Sequence, residues 1–135
     1  MRLMTYNVYA GGRERFSIVE EIVKLVRPDI LAIQEACNWD KTGQFTAIRE
    51  LLRVADSRAV FFKSNQRSNS GRTYDLAFYS RYPILEYKVF SDPDIIWHSL
   101  GLVTVKVNTK EVAVLVCHLS PQSEDWRLKE VNKIK

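Results

Sequence analysis

Apolar runs and helical spacings alternate at the start of the chain. Residues 3–8 form a β-prone run, and residues 30–33 are four consecutive apolar residues followed by Gln34 and Glu35. Between the two runs, apolar side chains recur at helical spacing: Phe16, Val19, Ile22, Val23 and Val26. A strand, an amphipathic helix and a second strand in this order predict a β-α-β unit with two parallel strands.

Glu35 is predicted to lie at the end of the second strand. Four apolar residues without alternation are typical of a strand covered on both faces, and such a strand cannot carry a carboxylate through its core. If the two strands are parallel, Asn7 and Glu35 lie at the same edge of the sheet. Position alone favours a glutamate that faces water, but strand ends are also where α/β folds place metal ligands and general bases.

The remaining pattern predicts two more helices and several strands. Helical spacing over residues 45–55 and 121–135 predicts the helices. The predicted strands are residues 59–62, 76–79, 84–89, 102–107 and 112–117. The break at Pro83 makes the second and third of these a hairpin or a bent pair, and residues 108–110 turn the fourth into the fifth. We therefore expect an α/β (α+β) fold in which a mixed β-sheet is layered with helices.

Composition narrows the class of protein. With 135 residues the chain is long enough for one core and too short for two ordinary domains, so we expect a single domain over residues 1–135. It has no apolar run of membrane-spanning length and no secretory leader, which predicts a soluble, cytoplasmic protein. Cys37 and Cys117 lack CxxC spacing, which favours reduced structural thiols. The net charge of +4 mildly favours a phosphate-bearing partner.

A polar loop over residues 63–72 carries Lys63, Arg67 and Arg72. It is either a mobile, solvated connection or a clamp in which arginine side chains hold a phosphate group. His98 stands in a later connection, and its neighbours in the sequence have no metal-ligand spacing, so we expect a surface or loop histidine.

The last predicted strand ends in His118, as the first two end near Asn7 and Glu35. An amide, a carboxylate and an imidazole are thereby placed at strand ends. Metal-assisted chemistry on phosphates uses hard oxygen ligands for Mg²⁺ or Mn²⁺ together with a donor to the phosphate oxygens. We therefore expect Asn7, Glu35 and His118 to converge on one edge of the sheet.

Four motifs occur in the order found in a known family, at residues 4–8, 28–35, 76–84 and 116–119, with Arg127 beyond the last. In these motifs the chain resembles the endonuclease/exonuclease/phosphatase superfamily, which has the deoxyribonuclease I-like fold. The resemblance covers nearly the whole chain.

The resemblance implies roles for particular residues. Glu35 resembles the family's metal-binding glutamate, and Asn7 the asparagine beside the metal and the phosphate. His118 resembles the histidine that donates to the scissile phosphate, so these three are the expected catalytic residues. Tyr74 matches an aromatic residue that precedes the third motif, and we expect it to bind substrate together with Arg67 and Arg72. Asp75 and Leu76 stand where many relatives have Gly and Asn, and apart from the resemblance we expect Asp75 to orient His118.

The resemblance further implies a Mg²⁺- or Mn²⁺-dependent phosphoesterase, a nuclease or phosphatase that hydrolyses phosphodiester or phosphomonoester bonds. The family's later Asp-x-Asn motif and its terminal Asp-His pair do not occur here. The chain thus corresponds to the N-terminal half of a four-layer α/β sandwich, and we expect it to be incomplete. Because residues 30–33 and 112–117 are apolar on both faces, we expect helices on one side of the sheet and a second sheet, from the missing half, on the other.

An alternative function is a catalytically inactive half-domain that binds a copy of itself or a partner chain through an exposed sheet face. In both cases the assembly is expected to be either a homodimer or a chain that lacks its C-terminal half. A bare nucleic-acid-binding module is the weakest hypothesis, because the basic residues are scattered rather than arranged in a stripe.

Overall fold

A β-α-β unit opens the fold, and it consists of β1 (Leu3–Asn7), α1 (Phe16–Val26) and β2 (Ile30–Gln34). The computed structural model describes residues 1–65 and 71–134. β1 and β2 are parallel, with Asn7 opposite Gln34, as the sequence predicts. The two strands therefore end at the same edge of the sheet.

The first sheet has the strand order β1-β2-β4-β3, where β3 is Ala59–Phe62 and β4 is Leu76–Ser80. β4 runs antiparallel to both of its neighbours. Between β2 and β3 the chain forms a short helix, α2 (Trp39–Thr42), and a longer one, α3 (Gln44–Leu52). One core lies between this sheet and the helices, and it includes Val19, Val23, Leu31, Ile33, Trp39, Ile48 and Tyr79.

A second, antiparallel sheet follows, with the order β5-β6-β7: β5 (Ile84–Phe90), β6 (Leu100–Val107) and β7 (Lys110–Cys117). It packs against the face of the first sheet that the helices leave free. A second core lies between the two sheets, and its buried members include Ile30, Ala32, Phe62, Phe78, Val103, Val105 and Val116.

The second sheet corrects two expectations from the sequence. Residues 76–79 and 84–89 do not form a hairpin, because β4 and β5 belong to different sheets. Pro83 has no N–H to donate, and its carbonyl instead accepts from the backbone N–H of Lys106 at 2.9 Å, on the second sheet. The free face of β2 is also not left for another chain to cover, because strands of this chain fold over it.

The expectation that residues 112–117 are covered on both faces is wrong for the part of the chain that the structure describes. β7 lies at the edge of the second sheet, and Leu115 keeps 40% of its surface exposed. Its apolar run therefore does not show that both faces are buried, since an antiparallel strand can leave one face open to water.

The final helix, α4 (Glu124–Ile134), lies within the segment where helical spacing predicts one. It is mostly polar on its surface and packs through Trp126 and Glu130. Of the helices in residues 1–65 and 71–134, none combines the length and apolar character that a membrane crossing requires.

Candidate active site

The backbone turns sharply where β2 ends. Glu35 adopts a left-handed conformation, with φ at 59°, and its carbonyl accepts from the N–H groups of Gly11 and Cys37, each at 2.7 Å. Gly11 has φ at 80°, and a Cβ at that position would lie 3.1 Å from the carbonyl oxygen of Cys37. A glycine is therefore required for the loop after β1 to approach the loop after β2 this closely.

Two neighbours hold the Glu35 carboxylate. Its Oε2 accepts from the backbone N–H of Ala10 at 2.7 Å, and its Oε1 accepts from the side-chain amide of Asn7 at 3.1 Å. The amide oxygen of Asn7 accepts in turn from the backbone N–H of Tyr9 at 2.9 Å, which fixes which end of the amide faces Glu35. The first two strand ends thus form a fixed carboxylate–amide pair.

His118 completes this arrangement from the second sheet. It follows Cys117 at the end of β7, and its Nε2 lies 3.8 Å from Oε1 of Glu35. Both side chains are largely buried, with 21% of His118 and 13% of Glu35 exposed. The structure therefore brings Asn7, Glu35 and His118 to one edge of the fold.

A second histidine, which the sequence predicts to be a surface or loop residue, lies in this site. His98 is 3% exposed, and its ring stacks on that of His118 with centroids 4.5 Å apart and planes 13° apart. His98 does lie in a loop, between β5 and β6, but it is buried rather than on the surface. The signal that could have located it is the register of the hairpin. Leu100 pairs with Cys117, so His118, one residue after this pair, must lie near His98, two residues before it.

The ring of Tyr74 contacts both histidines. Its centroid lies 5.2 Å from that of His98 and 6.4 Å from that of His118. Tyr74, which the resemblance places in substrate binding, is thus part of an aromatic cluster beside the Glu35 carboxylate.

Burial keeps both histidines neutral near pH 7. Burial, together with a smaller effect of the neighbouring His118, lowers the pKa of His98 to about 4, although Glu35 opposes the shift. Burial likewise lowers the pKa of His118, against the opposing charges of Glu35 and Glu130. Among the described residues, the buried Nδ1 of His118 has no hydrogen-bond partner. A neutral imidazole here can donate one hydrogen bond and accept another.

Glu130 of α4 fixes the two segments that carry these histidines. Its carboxylate is fully buried and accepts from the backbone N–H groups of Trp97 and Ser120, each at 2.8 Å. Trp97 precedes His98, and Ser120 lies just beyond His118. Sequence reasoning did not single out Glu130; its one signal is the four-residue spacing from Trp126, which places both on the inward face of the helix.

The sequence also predicts that two arginines bind substrate. Arg67 lies outside the described residues. Arg72 is half-buried, near enough to Cys37 to oppose the effect of burial, which raises the pKa of that thiol to about 11.

Asp75 does not orient His118. It is fully buried and accepts from the backbone N–H of Ser64 at 2.9 Å, from that of Asn38 at 3.2 Å, and from the hydroxyl of Thr73. These bonds connect the two ends of the β3–β4 connection to each other and to the loop before α2. Among the described residues, Nδ1 of His118 has no hydrogen-bond partner, so the Asp75 carboxylate does not hold the imidazole.

The donor set at the site suits a hard divalent cation, although it supplies few ligands. Glu35 offers carboxylate oxygens, which keep lone pairs beyond the bonds to Asn7 and Ala10, and Asn7 offers an amide oxygen. Within the described ranges, no three His, Cys, Asp or Glu side chains are grouped so that they could hold a metal. Most positions around an octahedral Mg²⁺ would therefore belong to water or substrate.

Solved structures of other proteins have the same fold. An endonuclease/exonuclease/phosphatase family protein from Leptotrichia buccalis C-1013-b has a TM-score of 0.71 at 16% identity, over 100% of this chain and 61% of that one. D. rerio TDP2, solved in complex with a single-strand DNA product, has a TM-score of 0.67 at 16% identity, over 99% of this chain and 52% of that one. ANGEL2, described as a 2',3'-cyclic phosphatase and solved with adenosine-2',3'-vanadate, has a TM-score of 0.70 at 15% identity, over 96% of this chain and 44% of that one.

The likeness to these structures shows the fold alone, and the chain spans between 44% and 61% of their lengths. A comparison with curated proteins gives no significant match. The sequence model of one family, however, matches residues 4–132 and so includes Asn7, Glu35 and His118. The chain therefore belongs to the Endonuclease/Exonuclease/phosphatase family.

Proposed function

We propose that this chain is a divalent-metal-dependent phosphoesterase that acts on nucleotide phosphate esters, with Glu35, Asn7 and His118 in its active site. The observation that carries the proposal is the Glu35 carboxylate held between Asn7 and the Ala10 backbone, with Nε2 of His118 at 3.8 Å. Two structural neighbours support the substrate class, since TDP2 was solved with a single-strand DNA product and ANGEL2 with adenosine-2',3'-vanadate.

Each residue has a distinct part in this proposal. Glu35, with Asn7, would hold Mg²⁺ or Mn²⁺, which supplies positive charge to a phosphate oxygen as negative charge develops there. The amide of Asn7 and the Nε2–H of a neutral His118 then donate to non-bridging oxygens of the phosphate. His98 and Tyr74 exclude water from one side of His118 and fix the plane of its ring. Arg72 and Arg67, which precede Tyr74 in the sequence, are the proposed phosphate-binding cations.

The test is metal-dependent hydrolysis of a p-nitrophenyl phosphodiester and of single-stranded DNA. Glu35→Gln keeps the shape of the side chain and removes its charge, so turnover should fall on the order of 10²-fold or more. Glu111→Gln, at an exposed position of β7, is the matched control and should retain full turnover. Unchanged turnover in Glu35→Gln would refute the assignment of Glu35.

A second candidate is a module that binds a copy of itself or a partner chain. The second sheet favours it, because Leu85, Tyr87, Val89 and Leu115 are each at least 40% exposed there. Absence of turnover in the unmodified chain, combined with concentration-dependent self-association in light scattering, would support this candidate over the enzyme.

A further inference from the structure

A basic cleft lies at the other end of the first sheet, away from Glu35. It has a volume of about 680 Å³ and is lined by Lys24, Arg27, Arg53, Arg58 and Arg81, with valine and leucine side chains completing its walls. Three elements meet there: the C-terminal end of α1, the C-terminal end of α3 and the end of β4. We call the cavity lined by these five basic residues the basic cleft.

The register of the first sheet separates this cleft from the candidate active site. Arg27 precedes β2, whereas Glu35 follows it, and Ser80 pairs with Ile30 so that Arg81 lies at the same end as Arg27. A strand of this length spans about 16 Å. The cleft and the Glu35 site therefore cannot share one small ligand.

The charges of the basic cleft are poorly balanced by the protein. Its five cations exceed the net charge of +4 carried by the whole chain, and no Asp or Glu of the described residues lines it. The C-terminal ends of α1 and α3 together contribute only about one negative charge. Much of the positive charge is thus left uncompensated, and like charges held this close raise the free energy of the folded state.

Partners of the individual side chains show where an anion could enter. Arg81 lies 3.6 Å from the carboxylate of Asp29, and Arg58 donates to the carbonyl of Arg81 at 2.6 Å, so these two are held in place. Lys24, Arg27 and Arg53 are exposed, and across residues 1–65 and 71–134 no ion pair involves them. The cleft is thus lined by three exposed cations without an ion pair among the described residues and by two that other groups hold in place.

We propose that the basic cleft binds a compact anion with two or more phosphate groups. Guanidinium groups form paired hydrogen bonds with phosphate oxygens, and the cleft volume lies in the range of roughly 300–1,000 Å³ that is usual for small-molecule sites. A single phosphate carries at most about two negative charges and would leave most of the five cations unmatched. This site is independent of the proposed phosphoesterase activity, because it uses none of the residues around Glu35.

Isothermal titration calorimetry with inorganic pyrophosphate tests the proposal on the full chain. EDTA is present, so that no metal ion at Glu35 contributes to binding. We expect one saturable site, with orthophosphate binding at least about tenfold more weakly because it engages fewer cations. The double variant Arg27→Gln/Arg53→Gln should bind pyrophosphate at least about tenfold more weakly than the unmodified chain.

Controls separate the site from overall charge and from folding. Lys106→Gln/Lys110→Gln removes the same charge from the second sheet and should bind like the unmodified chain. Because Arg27 and Arg53 have left-handed backbones at helix ends, Lys24→Gln/Arg58→Gln provides a second cleft variant at positions without that constraint. No saturable pyrophosphate binding, equal losses in the cleft and control variants, equal affinity for orthophosphate, or binding only of a single-stranded oligonucleotide would each overturn the proposal.

Discussion

The imidazole of His98 covers one face of the His118 ring, beside Glu35. The two rings stack at 4.5 Å, and a positive charge on either would repel a proton on the other. Both rings are therefore most compatible with the fold when they are neutral. At the residue scale, the site consists of one fixed carboxylate, one fixed amide and a neutral imidazole whose orientation is set by stacking.

Stability should consequently depend on His98 as the pH falls. The pKa of His98 in the folded state, about 4, lies below its ordinary value of 6.5, so the unfolded chain binds a proton more readily. This group contributes full stability above pH 6.5, and the contribution is lost as the pH drops towards 4. The loss between these limits is roughly 3 kcal/mol.

Urea unfolding near pH 7 and near pH 4.5 measures this effect. Asparagine keeps the polar group nearest the backbone but does not titrate, so His98→Asn should show a smaller loss of unfolding free energy between the two pH values. If the variant and the unmodified chain lose the same free energy, His98 is not the group whose burial opposes protonation.

The predictability of single residues follows from where each lies on its strand. Asn7, Glu35 and His118 follow apolar runs, so their placement at strand ends can be inferred from the sequence. His98 and Glu130 could not be placed in this way, because one lies in an irregular connection and the other on a mostly polar helix. Their burial results from contacts between segments that are distant in sequence, such as the Glu130 bonds to Trp97 and Ser120.

Among the secondary-structure elements, the β-α-β unit and the last hairpin agree with the sequence pattern. Hydrophobic periodicity identified these strands but did not specify to which sheet each belongs. β4 and β5 are adjacent in sequence and nevertheless lie in different sheets. The cover that was expected from outside the chain is therefore formed by β5, β6 and β7 of this chain.

Contact between the two sheets depends on the absence of a side chain at Gly101. A Cβ built at this position in β6 would lie 2.5 Å from the ring of Phe62 in β3. Gly101→Ala should therefore destabilise the fold by about 1–3 kcal/mol, measured by thermal or urea unfolding, because neither the ring nor the strand can move freely in the core.

Phe62→Leu provides the matched background for this test. A smaller side chain removes the clash, so the cost of Gly101→Ala should be much lower in that background than in the unmodified chain. Equal costs in the two backgrounds would show that Gly101 is not in steric contact with Phe62.

At the scale of the whole molecule, the two ends of β2 carry side chains of different charge. The Glu35 carboxylate and the neutral histidines lie at one end, and the five cations of the basic cleft lie at the other. The net charge of the chain gave no indication of this separation, because it is a sum over all residues. Only the register of β2 with β4 places Arg27 and Arg81 together.

We propose that Asn7, Glu35 and His118 form a single site for a divalent cation and a phosphate ester. A Mn²⁺ titration followed by NMR tests it most directly, because a bound paramagnetic ion broadens the signals of nearby nuclei. We expect weak binding that first broadens the Asn7 side-chain amide and the ring signals of His118, and we expect Glu35→Gln to abolish this selective broadening. Broadening that begins elsewhere, or that persists unchanged in Glu35→Gln, would contradict the account.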